Sequence, residues 1–177
     1  MKNFKLIGKL FVIISLVVFT ACEDYYTEMN QNPNGVDLAE ANPNLMMTGI
    51  MQSAASSYLG LGYGNLAGAM QHTQKDGWHS SHNVYDWGPT NWTGWYNMLR
   101  DTDFMLRRSQ ELEWDFHEGV ALTMKAFIFG NVTDFWGDAP YTEALQGDRD
   151  IVNPRFDPQE VIYNGIIEDL NAAVQKF

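Results

Sequence analysis

Cysteine and basic residues are scarce in this chain of 177 residues. The single cysteine, Cys22, cannot form an internal disulfide. Eleven basic residues face 22 acidic ones, and loss of Lys2, Lys5 and Lys9 with a cleaved leader would lower the formal charge from −11 to −14. Such an acidic surface repels nucleic acid and anionic lipid head groups. The composition therefore argues against nucleic-acid binding and suits a neutral ligand or a protein partner.

Motifs that support catalysis are also missing. The sequence has no serine nucleophile elbow, no phosphate-binding glycine loop and no HExxH pattern. Glycoside hydrolysis needs two carboxylates on opposite sides of a sugar, whereas an acidic run between helices is ordinarily a solvated surface. We therefore predict that the protein is not an enzyme, although such a run occurs at Glu111, Glu113, Asp115 and Glu118.

Histidines are few and give only a weak metal-binding pattern. His79 and His82 have a spacing that suits two ligands, but neither His72 nor any other residue is fixed as a third by helical periodicity. Solvated or structural histidines explain the pattern better. We predict no metal and no cofactor.

The N-terminus has the pattern of a bacterial lipoprotein leader. A basic start and an apolar run over 10–19 end in Thr20 and Ala21, directly before Cys22. The run is too short to span a bilayer, so residues 1–21 are predicted to be a signal peptide. Cys22 is then the predicted acylation site, although Phe19 stands where the motif prefers Leu or Val. The alternative is an ordinary cleavage site followed by an incidental cysteine.

Residues 22–41 are polar and turn-rich, which predicts an acylated tether. Helical periodicity follows over 42–177, where Asn42 and Pro43 are good residues to begin the first helix. Glycines at 60, 62 and 64 should interrupt it before a second helix to about Gln74. Further helices are predicted over 91–109, over 116–132 and after Asp157, with 76–89 as a loop. The prediction is an all-α domain of five helices with almost no strand.

The segment 124–145 should organise this domain. It begins with an apolar helical face and then reaches a short loop with Phe135 and Trp136 and a corner over 137–140. We expect Asp138 to bond to the backbone of that turn. The last helix should begin with Asp157 as its N-cap, Pro158 as its first residue and Glu160 completing a capping box. Because its apolar stripe continues to residue 177, we expect an N-terminal fragment of a larger protein.

Several of these features, in this order, resemble the SusD/RagB family, and more narrowly its SusD-like, starch-binding, outer-membrane-associated branch. They are Cys22 with its acidic neighbours, the Asn-Pro-Asn-Gly tether, the helix with Trp95 and Tyr96, the corner from Phe135 to Tyr141, and the helix after Asp157. The resemblance covers essentially the whole chain. It implies a truncated, tetratricopeptide-like helical scaffold, since family members are usually several times longer.

The resemblance also implies a function and a location. The protein would be a surface-exposed outer-membrane lipoprotein of a Gram-negative bacterium, held by acyl chains on Cys22. It would capture an oligosaccharide or another oligomeric nutrient and pass it to a TonB-dependent transporter of the SusC type. Two alternatives are a membrane-anchored glycoside hydrolase and a structural helical-repeat lipoprotein that binds a protein partner.

Aromatic and amide side chains between residues 78 and 92 provide the candidate glycan site. Sugar rings stack their C–H faces on aromatic rings, and their hydroxyls need amide or carboxylate partners. The alternative is that these aromatic residues pack beneath neighbouring helices, as we expect for Trp95 and Tyr96. The candidate binding residues are Trp78, Tyr85, Trp87, Trp92, Asn83, Asp86 and Asn91.

Overall fold

The computed structural model describes residues 41–74, 81–85 and 90–177. The predicted signal peptide, Cys22 and nearly all of the predicted tether lie outside these residues. In the described part of the chain no β-strand forms, and one isolated antiparallel bridge joins Ala139 to Asp157. No helix among the described residues is long and apolar enough to cross a membrane.

Helix α1 comprises Pro43–Tyr63 and is followed by the short α2, Asn65–Ala69. The Asn42 side chain accepts a hydrogen bond from the backbone of Asn44 at 3.0 Å, which confirms the predicted start. The predicted interruption at Gly60 and Gly62 is wrong, because α1 continues through both and ends at Gly64. Helix propensity alone disfavours glycine by only about 1 kcal/mol, which one exposed helix can tolerate.

Helix α3, Ser81–Val84, lies within the segment 76–89, so the prediction that this segment is entirely loop is wrong there. Helices α4, Thr93–Glu111, and α5, Asp115–Trp136, are joined by a short turn and form a helical hairpin. Helix α1 packs against both, and α6, Gln159–Val174, packs along α5.

Helix α5 extends four residues beyond its predicted end. Phe135 and Trp136 are therefore helical, and the prediction that they lie in a loop is wrong. The helix ends at Gly137, whose positive φ of 74° suits glycine and whose N–H bonds to the Thr133 carbonyl at 2.8 Å.

Asp157 connects the corner to the start of α6, but it does not cap that helix. Its carboxylate accepts hydrogen bonds from the backbone N–H of Tyr141 at 3.2 Å and of Thr142 at 2.7 Å. The predicted N-cap is thus wrong: Pro158 occupies that position, and Asp138 accepts from the first helical N–H, that of Gln159, at 3.2 Å. Asp138 therefore bonds to backbone across the corner.

Two groups of buried apolar side chains form the core. The larger lies between α4, α5, α6 and the corner, and the smaller lies where α1 meets the other ends of α4 and α5. Trp95 and Leu99 of α4 contribute to the larger group, as predicted for Trp95, together with Phe129 and Ile162.

A hydrogen bond from Tyr96 connects α4 to the corner. Burial first, and the charge of Asp157 second, raise the pKa of Tyr96 to about 12. The hydroxyl is therefore neutral at physiological pH, and it donates to the Pro140 carbonyl at 2.6 Å.

Candidate functional site

A polar pocket lies between the chain that follows α2 and the short helix α3. It has a volume of about 390 Å³. The side chains that line it carry amide, hydroxyl and imidazole groups and one phenol ring: Gln71, His72, Thr73, Gln74, Asn83 and Tyr85. Such groups can both donate and accept hydrogen bonds, and no Asp, Glu, Lys or Arg lies among the described lining residues. The pocket therefore suits a neutral ligand that is rich in hydroxyl groups.

One side-chain contact connects the two walls of this polar pocket. The Gln71 amide donates to the Tyr85 hydroxyl at 2.7 Å, across 14 residues of sequence. Both residues have a left-handed backbone, with φ of 56° at Gln71 and 60° at Tyr85. Non-glycine residues seldom adopt this conformation, and they do so more often at binding sites. Tyr85 remains 52% exposed, so its ring is accessible to a ligand.

An aromatic groove follows the end of α1. Two adjoining clefts of about 380 and 590 Å³ share Leu61, Leu66 and Phe135. The larger cleft exposes the rings of Tyr58 and Tyr63, and its polar side carries Asn131 and Asp134. Asp134 accepts a hydrogen bond from the Tyr163 hydroxyl, and this bond is the main cause that raises the pKa of that phenol. The groove thus places exposed aromatic rings beside amide and carboxylate groups.

Comparison with known proteins assigns the chain to a family. A family model described as SusD-like, starch-binding and associating with the outer membrane, matches residues 34–177. The chain belongs to this SusD-like family. Its predicted resemblance is therefore confirmed. No curated protein sequence matches it.

The all-α fold is confirmed by a solved structure. This SusD-like chain is similar to a SusD homologue from Bacteroides fragilis NCTC 9343, with a TM-score of 0.62 and 24% sequence identity. The match covers 77% of this chain and 28% of that chain. The matched part thus corresponds to a little over a quarter of the length of that protein, and the likeness shows the helical fold.

The predicted glycan-binding residues are distributed over three environments. Asn83 and Tyr85 lie together in the polar pocket. Asn91 lines the aromatic groove, where its side chain also accepts from the Thr93 backbone at 3.1 Å. Trp92 is half-buried, with ring centroids 5.5 Å from Phe156 and 6.1 Å from Trp136, an arrangement typical of packing. Trp78, Asp86 and Trp87 lie outside the described residues.

The acidic run and the histidines occupy other positions in this SusD-like chain. Glu111 pairs with Arg108 at 2.9 Å, and Lys176 joins Asp115 and Glu118 at 2.8 and 2.7 Å. None of the acidic run lines the polar pocket or the aromatic groove. Among the side chains the structure describes, no three His, Cys, Asp or Glu residues form a metal-binding group.

Sequence reasoning missed most of the side chains that line these clefts. In the polar pocket the missed side chains are those of the polar run Gln71 to Gln74, which the helical pattern places at the end of a helix. The run combines two amides, a hydroxyl and an imidazole in four residues, and that density of hydrogen-bonding groups was an available signal. In the aromatic groove the missed side chains are those of Tyr58, Tyr63 and Phe135. The spacing of Tyr58 puts it on the apolar face of α1, yet it is 55% exposed.

Proposed function

We propose that this SusD-like protein captures an oligosaccharide at the polar pocket and the aromatic groove without carrying out chemistry on it. The observation that carries the proposal is the polar pocket, in which Gln71 and Tyr85 bond to each other and Asn83 lies beside them. A family described as starch-binding and associating with the outer membrane supports the same ligand class.

The chemistry of the two clefts is complementary for a neutral sugar. Amide groups at Gln71, Gln74 and Asn83 can each donate to one sugar hydroxyl and accept from another. The exposed rings of Tyr63 and Tyr85 offer faces for the C–H side of a sugar ring. A neutral ligand also avoids repulsion by a chain with a formal charge of −11.

The arrangement of carboxylates favours capture over hydrolysis. A glycosidase needs an acid and a second carboxylate about 5–10 Å apart on opposite sides of the bond that breaks. No carboxylate lines the described polar pocket, and Asp134 is the one carboxylate among the described lining of the groove. Within the described lining of these clefts, the pair that hydrolysis requires is therefore not present.

The proposed function includes an anchor and a partner. Acyl chains on Cys22 would hold the protein at the cell surface of the outer membrane, and residues 22–41 would act as the tether. More than one chain is needed for stable anchoring, because a single acyl chain binds membranes only weakly. The captured oligosaccharide would then pass to a TonB-dependent transporter of the SusC type.

Calorimetric titration of the full chain in detergent with linear maltooligosaccharides tests the capture step. The double variant Gln71→Ala, Tyr85→Ala should bind about tenfold more weakly, because it loses one stacking ring and one amide. Phe116→Ala is the matched control: Phe116 is 56% exposed and lies outside both clefts, so its loss should leave affinity unchanged. Equal affinity of the double variant and the control would refute the assignment of the pocket.

Two further measurements separate the alternatives. Chromatography of the oligosaccharide after long incubation should show no shorter product, whereas product formation would support the hydrolase. Metabolic labelling with radioactive palmitate should label the wild type and leave Cys22→Ala unlabelled. Labelling of both proteins would show that Cys22 is not the acylation site.

A further inference from the structure

The aromatic groove combines exposed rings with one carboxylate. Its lining includes the rings of Tyr58, Tyr63 and Phe135, and Asp134 is the one Asp, Glu, Lys or Arg among its described lining residues. On α5, Asn131, Asp134 and Phe135 follow the i, i+3, i+4 spacing that places side chains on one face of a helix. The larger cleft, of about 590 Å³, is within the range of about 300–1,000 Å³ that is usual for small-molecule sites.

The helices that pack on α5 contribute no net positive charge. Residues 41–74, which contain α1 and α2, include no Asp, Glu, Lys or Arg. Helix α6 has acidic residues alone among its charged side chains, namely Glu160, Glu168 and Asp169. Helix α4 has three arginines and three acids, which form the salt bridges Arg100–Asp101, Arg107–Asp103 and Arg108–Glu111.

Lys125, the one lysine or arginine of α5, lies away from the groove. It precedes Asp134 by nine residues. At 3.6 residues per turn, nine residues place it on the opposite side of the helix and roughly 13 Å along the axis. Lys125 pairs with Asp169 at 2.9 Å and lines, with Arg149, a separate pocket that shares no described residue with the groove.

The remaining charged residues also give no excess of cations. By sequence, residues 75–80 and 86–89 add one lysine and two aspartates. The other described cations have acidic partners: Arg155 with Glu143 and Asp157, and Lys176 with Asp115 and Glu118. The charge that the described groove presents to a ligand is therefore that of Asp134.

The hydrogen-bond donor that the structure places on Asp134 is neutral. The Tyr163 hydroxyl donates to this carboxylate, and the bond raises the pKa of Tyr163, so the phenol stays protonated at physiological pH. A carboxylate has about four acceptor sites, and this bond occupies one of them. Asp134 is exposed, so it can also accept a hydrogen bond from a ligand in the groove.

We propose that the aromatic groove binds an amino sugar, with the protonated amine beside Asp134 and the sugar ring on an exposed tyrosine. An ammonium group is attracted both by a carboxylate and by the face of an aromatic ring. A neutral sugar would use the rings without the charge, and an anion would be repelled. This inference rests on the proposed capture of an oligosaccharide and names the class of sugar that the groove selects.

Calorimetric titration of the full chain in non-ionic detergent tests this selection with two ligands. They are the β-1,4-linked trimer of glucosamine, at mildly acidic pH, and its fully N-acetylated counterpart, in which acetylation removes the positive charges. At about 0.01 M ionic strength the glucosamine trimer should bind about tenfold more tightly, and salt at about 0.5 M should reduce this difference. Equal or tighter binding of the acetylated trimer would overturn the proposal.

Variants separate the groove from the general attraction of a cation to an acidic chain. Asp134→Asn removes the charge and keeps an oxygen that can accept from Tyr163. It should weaken binding of the glucosamine trimer by about threefold to fivefold and leave the acetylated trimer unaffected. The matched control is Asp150→Asn, which removes the same charge from an exposed residue outside the lining of the groove and the polar pocket. Equal effects of the two variants on the glucosamine trimer would overturn the proposal.

Titration with maltooligosaccharides distinguishes a failure of this inference from a failure of the proposed function. Binding of maltooligosaccharides without any preference for the glucosamine trimer would refute the amino sugar alone. Binding of the glucosamine trimer that depends on Asp134, without binding of maltooligosaccharides, would support the groove and refute capture at the polar pocket. Absence of binding by all three ligands would refute both.

Discussion

Gly165 is the position where a single methyl group should disturb the packing of α6 on the corner. A Cβ atom at this position would overlap the Tyr141 hydroxyl and lie 2.6 Å from two ring carbons of that residue. The tyrosine cannot turn aside easily, because its ring packs on Phe129 and its hydroxyl bonds to Asp169. Gly165→Ala must therefore displace a side chain that several contacts hold.

The expected magnitude follows from two opposing terms. Overpacking of this kind costs about 1–3 kcal/mol. Replacing a helical glycine by alanine returns about 0.5–1 kcal/mol. The net expectation is a loss of between about 0 and 2.5 kcal/mol in the free energy of unfolding. For a chain of this size each kcal/mol corresponds to about 2–4 °C in the midpoint of thermal unfolding.

Urea unfolding of the full chain, followed by far-UV circular dichroism, measures this change. Gly49→Ala is the matched control, since Gly49 lies in α1 and a methyl group there would meet no neighbouring atom within 4 Å. The control should stabilise the protein by about 0.5–1 kcal/mol. In the Gly165→Ala background, Tyr141→Ala should cost less than it does alone, because the overlap is then relieved. Equal stability of the two glycine variants would refute the packing argument.

Three further predictions concern stability at the corner and near the candidate site. Asp157→Asn should lower the free energy of unfolding at pH 7 by about 1–3 kcal/mol, because the buried N–H groups that it accepts from lose a charged partner. Burial alone would raise the pKa of Asp157, but hydrogen bonds from Thr142 and Tyr141 and the charge of Arg155 outweigh it and lower the pKa. The stabilisation by Asp157 is therefore complete well above its pKa in the unfolded chain, about 3.9, and is lost as the pH falls below that pKa. The free energies of unfolding of wild type and variant, measured by urea titration, should therefore converge in acid. A difference that stays constant with pH would contradict this. Gly137→Ala should cost about 1–3 kcal/mol because of the positive φ of 74°, and an unchanged urea midpoint would refute this. Trp92→Ala should cost about 2–3 kcal/mol because its ring packs on Trp136 and Phe156, whereas Tyr85→Ala should change stability by less than about 1 kcal/mol; thermal melts that rank them in the opposite order would reverse their assignment to packing and surface.

Local signals predicted helix positions well wherever no distant partner competed. Asn42 caps α1 as expected, because its side chain needs only the backbone two residues ahead. The same reasoning failed at Asp157, whose pattern with Pro158 and Glu160 fits a capping box. Its carboxylate instead takes the backbone of Thr142, 15 residues earlier, together with that of Tyr141. A capping pattern shows that a side chain could accept a hydrogen bond from the helix that follows it. Backbone donors elsewhere in the chain can take that side chain instead, and the local pattern does not reveal them.

The candidate site could be predicted only in part for the same reason. The type of side chain follows from sugar chemistry, and Asn83 and Tyr85 do lie in one pocket. The contact of Tyr85 with Gln71 depends on two left-handed residues and on the position of α3, which no periodic pattern encodes. Trp92 lies in the same sequence segment, but it faces the rings of Trp136 and Phe156. Proximity in sequence therefore did not imply a shared surface.

The net charge of the whole chain also gives only limited information about the charge at a particular site. A formal charge of −11 favours neutral ligands, and no Asp, Glu, Lys or Arg lies among the described residues that line the polar pocket. Salt at physiological ionic strength screens electrostatic interactions over a Debye length of about 8–10 Å. The affinity of a charged ligand therefore depends mainly on the charged groups around its own site. Between α4, α5 and the segment after the corner those groups are cations and carboxylates together, since Arg107 pairs with Asp103 and Lys125 pairs with Asp169. An acidic composition thus argues against a polyanion that must contact a broad surface, whereas the charge at any one site depends on which side chains folding brings there.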